Sequence, residues 1–335
     1  MKEAMLYEKL SGGKVHCRLC SHHCVIEDGA YGFCGVRQNV SGTLYTHSYG
    51  QAIAANADPV EKKPLYHFYP GTRAFSIATL GCNFHCDFCQ NWQISQTSHR
   101  DGAEDRSTVE PREIVQRALE ENCRMLAYTY TEPTIFFEYA CDTARLGRDK
   151  GLANVFVTNG FMTGEALETA QPWLDACNVD LKSFRNAFYK ERCQARLQPV
   201  LDTIQKLREL DIWVEVTTLI VPGQNDSEAE LSDIASFIAE TDPDIPWHIS
   251  RFHPDYQLTD AQPTPMSTLE KAQSLGWNAG LHYIYMGNVA GASLDTLCPT
   301  CGNVVIQRGG FGRTEVRVRD GRCPECGKPI AGVFS

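Results

Sequence analysis

Gly81-Cys-Asn-Phe-His-Cys-Asp-Phe-Cys-Gln90 puts three cysteines, Cys82, Cys86 and Cys89, into one short loop. Three thiolates this close can hold three corners of a cubane iron–sulfur cluster, whereas a cluster that only carries electrons takes a fourth cysteine nearby. The next cysteine is Cys123, beyond a polar stretch. One iron is then left to a non-protein ligand, and an open iron is a reaction site. Structural zinc wants four closed ligands, at a spacing nearer to repeated Cys-x2-Cys. His85 could complete such a set only by folding its ring back onto the same metal.

The surrounding chain bounds the class of protein. Its 335 residues suit one large domain with appendages, or two domains. A hydrophobic content of 43% and a charged content of 21% are ordinary for a soluble globular protein. No apolar run approaches the ~18 residues of a membrane span, and the start lacks a signal-peptide pattern, so a cytoplasmic protein is expected. A net charge of −10 argues against general nucleic-acid binding. The arginines 308, 313, 317, 319 and 322 are best read as one face of a solvated β-ribbon, with Glu315 and Asp320 between them.

Fifteen cysteines in a reducing compartment point to metal sites before disulfides. Besides the loop triad, Cys17, Cys20, Cys24 and Cys34 form one group, able to close on zinc or to hold a fully ligated auxiliary cluster. His16, His22 or His23 could stand in for one of them. Cys298, Cys301, Cys323 and Cys326 lie in two Cys-Pro-x-Cys-Gly knuckles joined by a hairpin around Gly309-Gly310. That is a zinc ribbon, or an iron site of rubredoxin geometry. Cys123, Cys141, Cys177 and Cys193 read as core residues.

The pattern divides the chain into a four-cysteine metal-binding module with a β-hairpin lead-in (1–70), a core (71–290) and a ribbon (291–335). Asp58–Pro64 reads as a turn-rich approach to the core. Within the core, seven strands alternate with helices, which indicates a parallel sheet with right-handed crossovers. Ser227-Glu-Ala-Glu230 and Ser267-Thr-Leu-Glu270 read as capping boxes. Polar and glycine-bearing segments repeatedly follow strand ends: Cys82–Cys89, Tyr130–Pro133, Thr158–Gly160, Asp180–Lys182, His253-Pro254 and Gly287-Asn288. In α/β sheets and barrels that edge carries the active site.

Cys-x3-Cys-x-aromatic-Cys after the first strand, with Phe88 as the aromatic, resembles the radical S-adenosylmethionine (SAM) superfamily. Asn91, Glu132-Pro133, Thr158-Asn-Gly160, Asp180-Leu-Lys182, Val221-Pro-Gly223 and Phe252-His253 are similar to its pyruvate formate-lyase activating enzyme branch. Glu61-Lys-Lys-Pro-Leu-Tyr-His67, Tyr128-Thr-Tyr-Thr-Glu-Pro133 and Tyr285-Met-Gly-Asn288 resemble the radical SAM member of the AmmeMemoRadiSam system. The resemblance implies an α/β fold, a partial open (β/α)6 TIM-like barrel. It also implies a [4Fe-4S] cluster on Cys82, Cys86 and Cys89 whose open iron binds SAM, with reductive cleavage yielding a 5′-deoxyadenosyl radical. It implies an electron donor of flavodoxin or ferredoxin type and protein partners from the same system.

Residue roles follow from the same resemblance. Phe88 would lie against the adenine, with Asn91 just past the last cysteine. Glu132 would accept from the SAM ammonium, or else serve as a helix N-terminal acid. Asn159 would meet the ribose or carboxylate, or simply make an Asn-Gly turn. Asp180 and Lys182 would face the cofactor, or pair with one another. His253 would reach the site, or pack as a core residue. The family's glycine pair before the motif glutamate is here Tyr130-Thr131. The activating-enzyme acid before Thr-Asn-Gly is Val157, and the arginine before Val-Pro-Gly is Thr217, so a bound monovalent cation is not carried over. The substrate is not legible. Glycyl-radical-enzyme activation and RNA or protein modification stand as alternatives, as does a non-catalytic iron–sulfur or zinc electron-transfer protein.

Overall fold

A computed structural model describes residues 1–103, 107–309 and 313–334. Its centre is an eight-stranded sheet whose strands lie side by side in chain order. They are β1 (Ala54–Pro59), β2 (Arg73–Ala78), β3 (Met125–Tyr128), β4 (Ala153–Thr158), β5 (Ala176–Asp180), β6 (Trp213–Ile220), β7 (Trp247–Arg251) and β8 (Ile284–Gly287). β1 runs antiparallel to β2, and every later neighbour is parallel. Six helices make the crossovers: α1 (Pro111–Glu120), α2 (Phe137–Arg148), α3 (Gly164–Ala170), α4 (Gln198–Glu209), α5 (Glu228–Thr241) and α6 (Met266–Asn278). Among the described residues β8 does not pair back to β1, so the sheet stays open.

The sequence explains the crossovers. Pro111 occupies the first turn of α1, where its missing N–H costs nothing. Ile114, Val115 and Ala118 form the buried face of α1. Gly151, at φ 78°, ends the turn after α2 as a left-handed cap. Ser227 caps α5 by accepting from the Glu230 amide. The other half of that capping box is absent, because the Glu230 carboxylate accepts instead from Ser183 and from the Phe184 amide and pairs with Arg185. The second box does not form either. Pro265 is the N-cap of α6, so Ser267 lies inside the first turn.

β1 corrects the sequence reading. Asp58 and Pro59 end a strand of the core sheet rather than open a turn-rich lead-in. The hairpin before it forms from Arg37–Val40 and Thr43–Thr46, with Ser41 and Gly42 both at positive φ. A second small sheet, Tyr7–Lys9, Val15–Cys17 and Val25–Ile26, precedes it.

The C-terminal ribbon is a three-stranded antiparallel sheet of Thr296–Leu297, Val304–Arg308 and Thr314–Val316. The expected turn residue Gly310 lies outside the described residues. Arg308 is buried rather than part of a basic face. It donates to the Leu294 carbonyl, to Thr296 and to the Tyr66 carbonyl. Arg317 pairs with Glu315, as the ribbon-face reading expects.

Much of the Glu61–His67 motif serves this docking. His67 is fully buried, with Nδ1 2.7 Å from the Ala331 carbonyl and Nε2 2.6 Å from the Tyr285 hydroxyl. Glu215 accepts from the Tyr66 and His67 amides and faces His248 Nε2 at 2.7 Å. Val333 exchanges backbone bonds with His67 and Tyr69.

Burial lowers the His67 pKa to about 4, against an ordinary value of about 6.5. The folded state therefore holds fewer protons than the unfolded one between those values. Stability is full above the ordinary value and falls as pH drops from there toward 4, by about 1.4 kcal/mol per unit. We expect limited proteolysis of the tail to accelerate between pH 7 and pH 5.5, and His67→Gln to flatten that dependence. A tail equally resistant at both pH values would overturn the coupling.

Candidate active site and metal centres

The loop after β2 lies at the C-terminal edge of the sheet, where parallel strands converge their following loops. Gly81 makes this possible. It sits at φ 95°, and a Cβ there would meet Val36 Cγ1 at 2.9 Å and the Cys34 carbonyl at 3.2 Å. The loop is pinned beyond it by bonds from the His85 amide to the Cys193 carbonyl and from the Asp87 amide to the Arg192 carbonyl. An Asp87–Arg192 ion pair at 2.6 Å adds to these.

Cys82, Cys86 and Cys89 all open onto one cavity of about 300 Å³, at the lower end for small-ligand sites. The Phe84 amide donates to Cys82 Sγ at 3.3 Å, and Ser95 Oγ lies 3.1 Å from Cys89 Sγ. No fourth cysteine lines this cavity among the described residues. His85 turns away, with Nδ1 2.7 Å from Gln96 Oε1 and its ring edge-on to Phe33. Asn83 Nδ2, beside Cys82, is buried without a protein partner, the kind of donor that the sulfides of a cluster accept from. Among the described residues, only Cys298, Cys301, Cys323 and Cys326 bring three or more ligand atoms within 4.8 Å of one another. The loop thiols are thus spread too widely for a single ion, as separate corners of a cluster require. The donor set fits a three-cysteine cubane with one iron free.

The other expected residues fall as follows. Phe88, Asn91, Glu132, Asn159, Asp180 and Lys182 line the same cavity. Phe88 packs on Phe188, and Asn91 Nδ2 donates to the Tyr130 carbonyl at 2.9 Å. Asn159 Nδ2 donates to Asn83 Oδ1 at 2.7 Å, linking β4 to the cysteine loop. Asp180 and Lys182 pair at 2.9 Å. His253 is exposed at the rim beside Gln90 and does not line the cavity.

Glu132 is 2% exposed. Its carboxylate accepts from the Thr134 amide and hydroxyl, from Thr158 Oγ1 at 2.7 Å and from the Asn159 amide at 2.8 Å. It caps the turn Pro133–Phe136 and braces the end of β4, so the helix-acid reading is realised in a residue that also faces the cavity. Burial raises its pKa despite those donors.

Tyr130 keeps the backbone shape that glycine would supply, at φ 65°. Such a conformation costs a non-glycine residue roughly 1–3 kcal/mol. Asp58 anchors it by accepting from the Tyr130 hydroxyl, while Lys63 Nζ sits 4.3 Å from its ring centre. Val157 and Thr217 line the cavity where the activating-enzyme acid and arginine would stand, and Thr217 donates to Asn178. Sequence reasoning gave no site role to Asp58 and Lys63, whose contacts with Tyr130 join distant segments. Cys193 is buried in the core, as the sequence suggests.

The ribbon knuckles are closed. Cys298 and Cys326 sulfurs lie 3.6 Å apart, and Cys301 and Cys323 sulfurs 3.7 Å apart. Gly302 and Gly327, both at positive φ, donate their amides back to the Cys298 and Cys323 carbonyls. Tetrahedral metal–sulfur bonds of about 2.3 Å require sulfurs about 3.8 Å apart, so these four can hold one metal ion.

Residues 76–237 match the Radical SAM superfamily. This chain belongs to that superfamily: it is a radical SAM enzyme, and the class works with a [4Fe-4S] cluster, SAM and a reductant. An uncharacterized protein of Methanocaldococcus jannaschii is 46% identical over 98% of this chain and 99% of its own length. A second protein of that organism, provisionally named a glycyl-radical enzyme activating enzyme, is 26% identical over 66% of this chain and 80% of its own. The structure of Streptococcus suis SuiB bound to S-adenosylmethionine shares the fold, with a TM-score of 0.51 and 11% identity over 69% of this chain and 53% of that one. None of the helices among the described residues is long and apolar enough to cross a membrane.

Proposed function

We propose that this chain is the radical SAM enzyme of an AmmeMemoRadiSam-type system, acting on a partner-presented substrate in the cytoplasm. The radical SAM chemistry is supported by the cavity shared by Cys82, Cys86, Cys89 and the polar ends of β3 to β5, and the system by the resemblance at 61–67, 128–133 and 285–288. A cluster and SAM held there would supply reductive one-electron cleavage of SAM and hydrogen abstraction from the substrate. The three cysteines hold the cluster, and Phe88 offers an apolar face to the adenine. Asn159 and the Asp180–Lys182 pair present polar groups to the ribose and amino-acid end of SAM. Asn91 and Glu132 keep the Tyr130–Asn159 floor rigid. A flavodoxin- or ferredoxin-type protein provides the electron. Zinc fills the ribbon site, since a closed tetrahedral thiolate set with no redox task suits it.

Activation of a glycyl-radical enzyme is the second reading, favoured by the similarly named relative. Val157 and Thr217 set this chain apart from that branch. Deuterium transfer into 5′-deoxyadenosine from labelled cell extract, followed by mass spectrometry of the donor, identifies the substrate. A glycyl-radical enzyme as donor would replace the leading reading.

Glu132→Ala should lower thermal stability, since losing an N-cap costs about 0.5–2 kcal/mol. It should also weaken SAM binding by loosening Thr158 and Asn159, while iron content stays unchanged. Calorimetry on the reconstituted protein checks this, and an unaltered Kd would confine Glu132 to the fold.

A further inference from the structure

The N-terminal cysteines behave differently from the ribbon. Cys17, Cys20, Cys24 and Cys34 all border one small hollow of about 20 Å³, with Arg37, Ile26 and Ile135 among its other walls. That is enough to admit a water-sized body. No three of these thiols, with or without a neighbouring histidine, gather within 4.8 Å, although the ribbon thiols do. His22 is already engaged, with Nε2 2.7 Å from the Asn83 carbonyl. The four terminal thiolates of a cubane bind four different irons, so they stand apart around a central body.

The surroundings suit a polynuclear sulfide. Arg37 is 2% exposed, donates to Cys17 Sγ at 3.4 Å, and is held by Glu138 and the Met5 carbonyl. The Phe33 amide donates to Cys24 Sγ at 3.4 Å. A buried cation and N–H donors to sulfur are groups that set the potential of a cluster. The hollow lies close behind the reaction site, although no residue lines both. The Cys34 carbonyl lies against Gly81, Cys20 bridges to Met162, and Ile135 sits in the turn capped by Glu132.

We propose that Cys17, Cys20, Cys24 and Cys34 hold a second, fully ligated iron–sulfur cluster directly behind the Cys82 loop, and not zinc. The test does not depend on SAM chemistry. Full-length protein, reconstituted anaerobically, should carry about eight irons per chain. A Cys82→Ala/Cys86→Ala/Cys89→Ala variant should retain about four irons, with matching sulfide and a signal in electron paramagnetic resonance on reduction. Cys20→Ser/Cys24→Ser, in the otherwise native chain, should lose about four irons and no zinc. An iron-free triple variant, or loss of one zinc and no iron from Cys20→Ser/Cys24→Ser, would overturn the proposal. If the triple variant fails to fold, the iron change in the double variant decides. Absence of SAM cleavage in the native chain would instead count against the proposed function.

Discussion

Cys86→Ala should eliminate 5′-deoxyadenosine formation from SAM and dithionite in the reconstituted enzyme. The loss should exceed the roughly 10–100-fold penalty of removing a residue that merely supports a metal ligand. Cys86 stands in the loop that Gly81 and the Asp87–Arg192 pair hold against the cavity, and its thiol is buried beside Cys193. With two remaining thiolates the cluster is labile, and no other cysteine lines the cavity among the described residues to replace the third. Cys193 is the natural substitute to check, so Cys86→Ala/Cys193→Ala should behave like the single variant. Full cleavage in Cys86→Ala would remove the loop from the chemistry altogether.

Cys298→Ser should release the C-terminal ribbon. Its interior holds Val305, Ile306 and Ile330 together with Cys298 and Cys323, too little apolar surface for an independent fold. A structural zinc contributes about 10–16 kcal/mol in small modules, so losing one ligand costs more than docking contacts can offset. We expect rapid proteolysis after β8, while the iron bound by Cys82, Cys86 and Cys89 remains. Hydrogen exchange should rise together at Tyr66, His67 and Tyr285, because Arg308 and Val333 hold these against the tail. A ribbon that stays protease-resistant with its metal gone would refute the assignment.

The local motifs were legible because their chemistry is local. Cys-x3-Cys-x2-Cys sets three thiolates within one loop, and Cys-Pro-x-Cys-Gly sets two sulfurs on one turn, whatever the rest of the chain does. The alternation of apolar strands with amphipathic helices likewise determined a parallel α/β sheet, and with it the edge at which polar segments such as Thr158–Gly160 gather. Tertiary structure decided what pairwise contacts across the chain determine. Asp58 reads as a turn residue until β1 pairs with β2 and brings it to Tyr130 and Lys63. Glu230 gives up its capping box because Ser183 and Arg185 arrive from another crossover. His67 and Glu215 lie 148 residues apart and meet only in the folded chain. A buried polar group takes the partner that folding brings to it, and sequence spacing carries no record of a neighbour that distant.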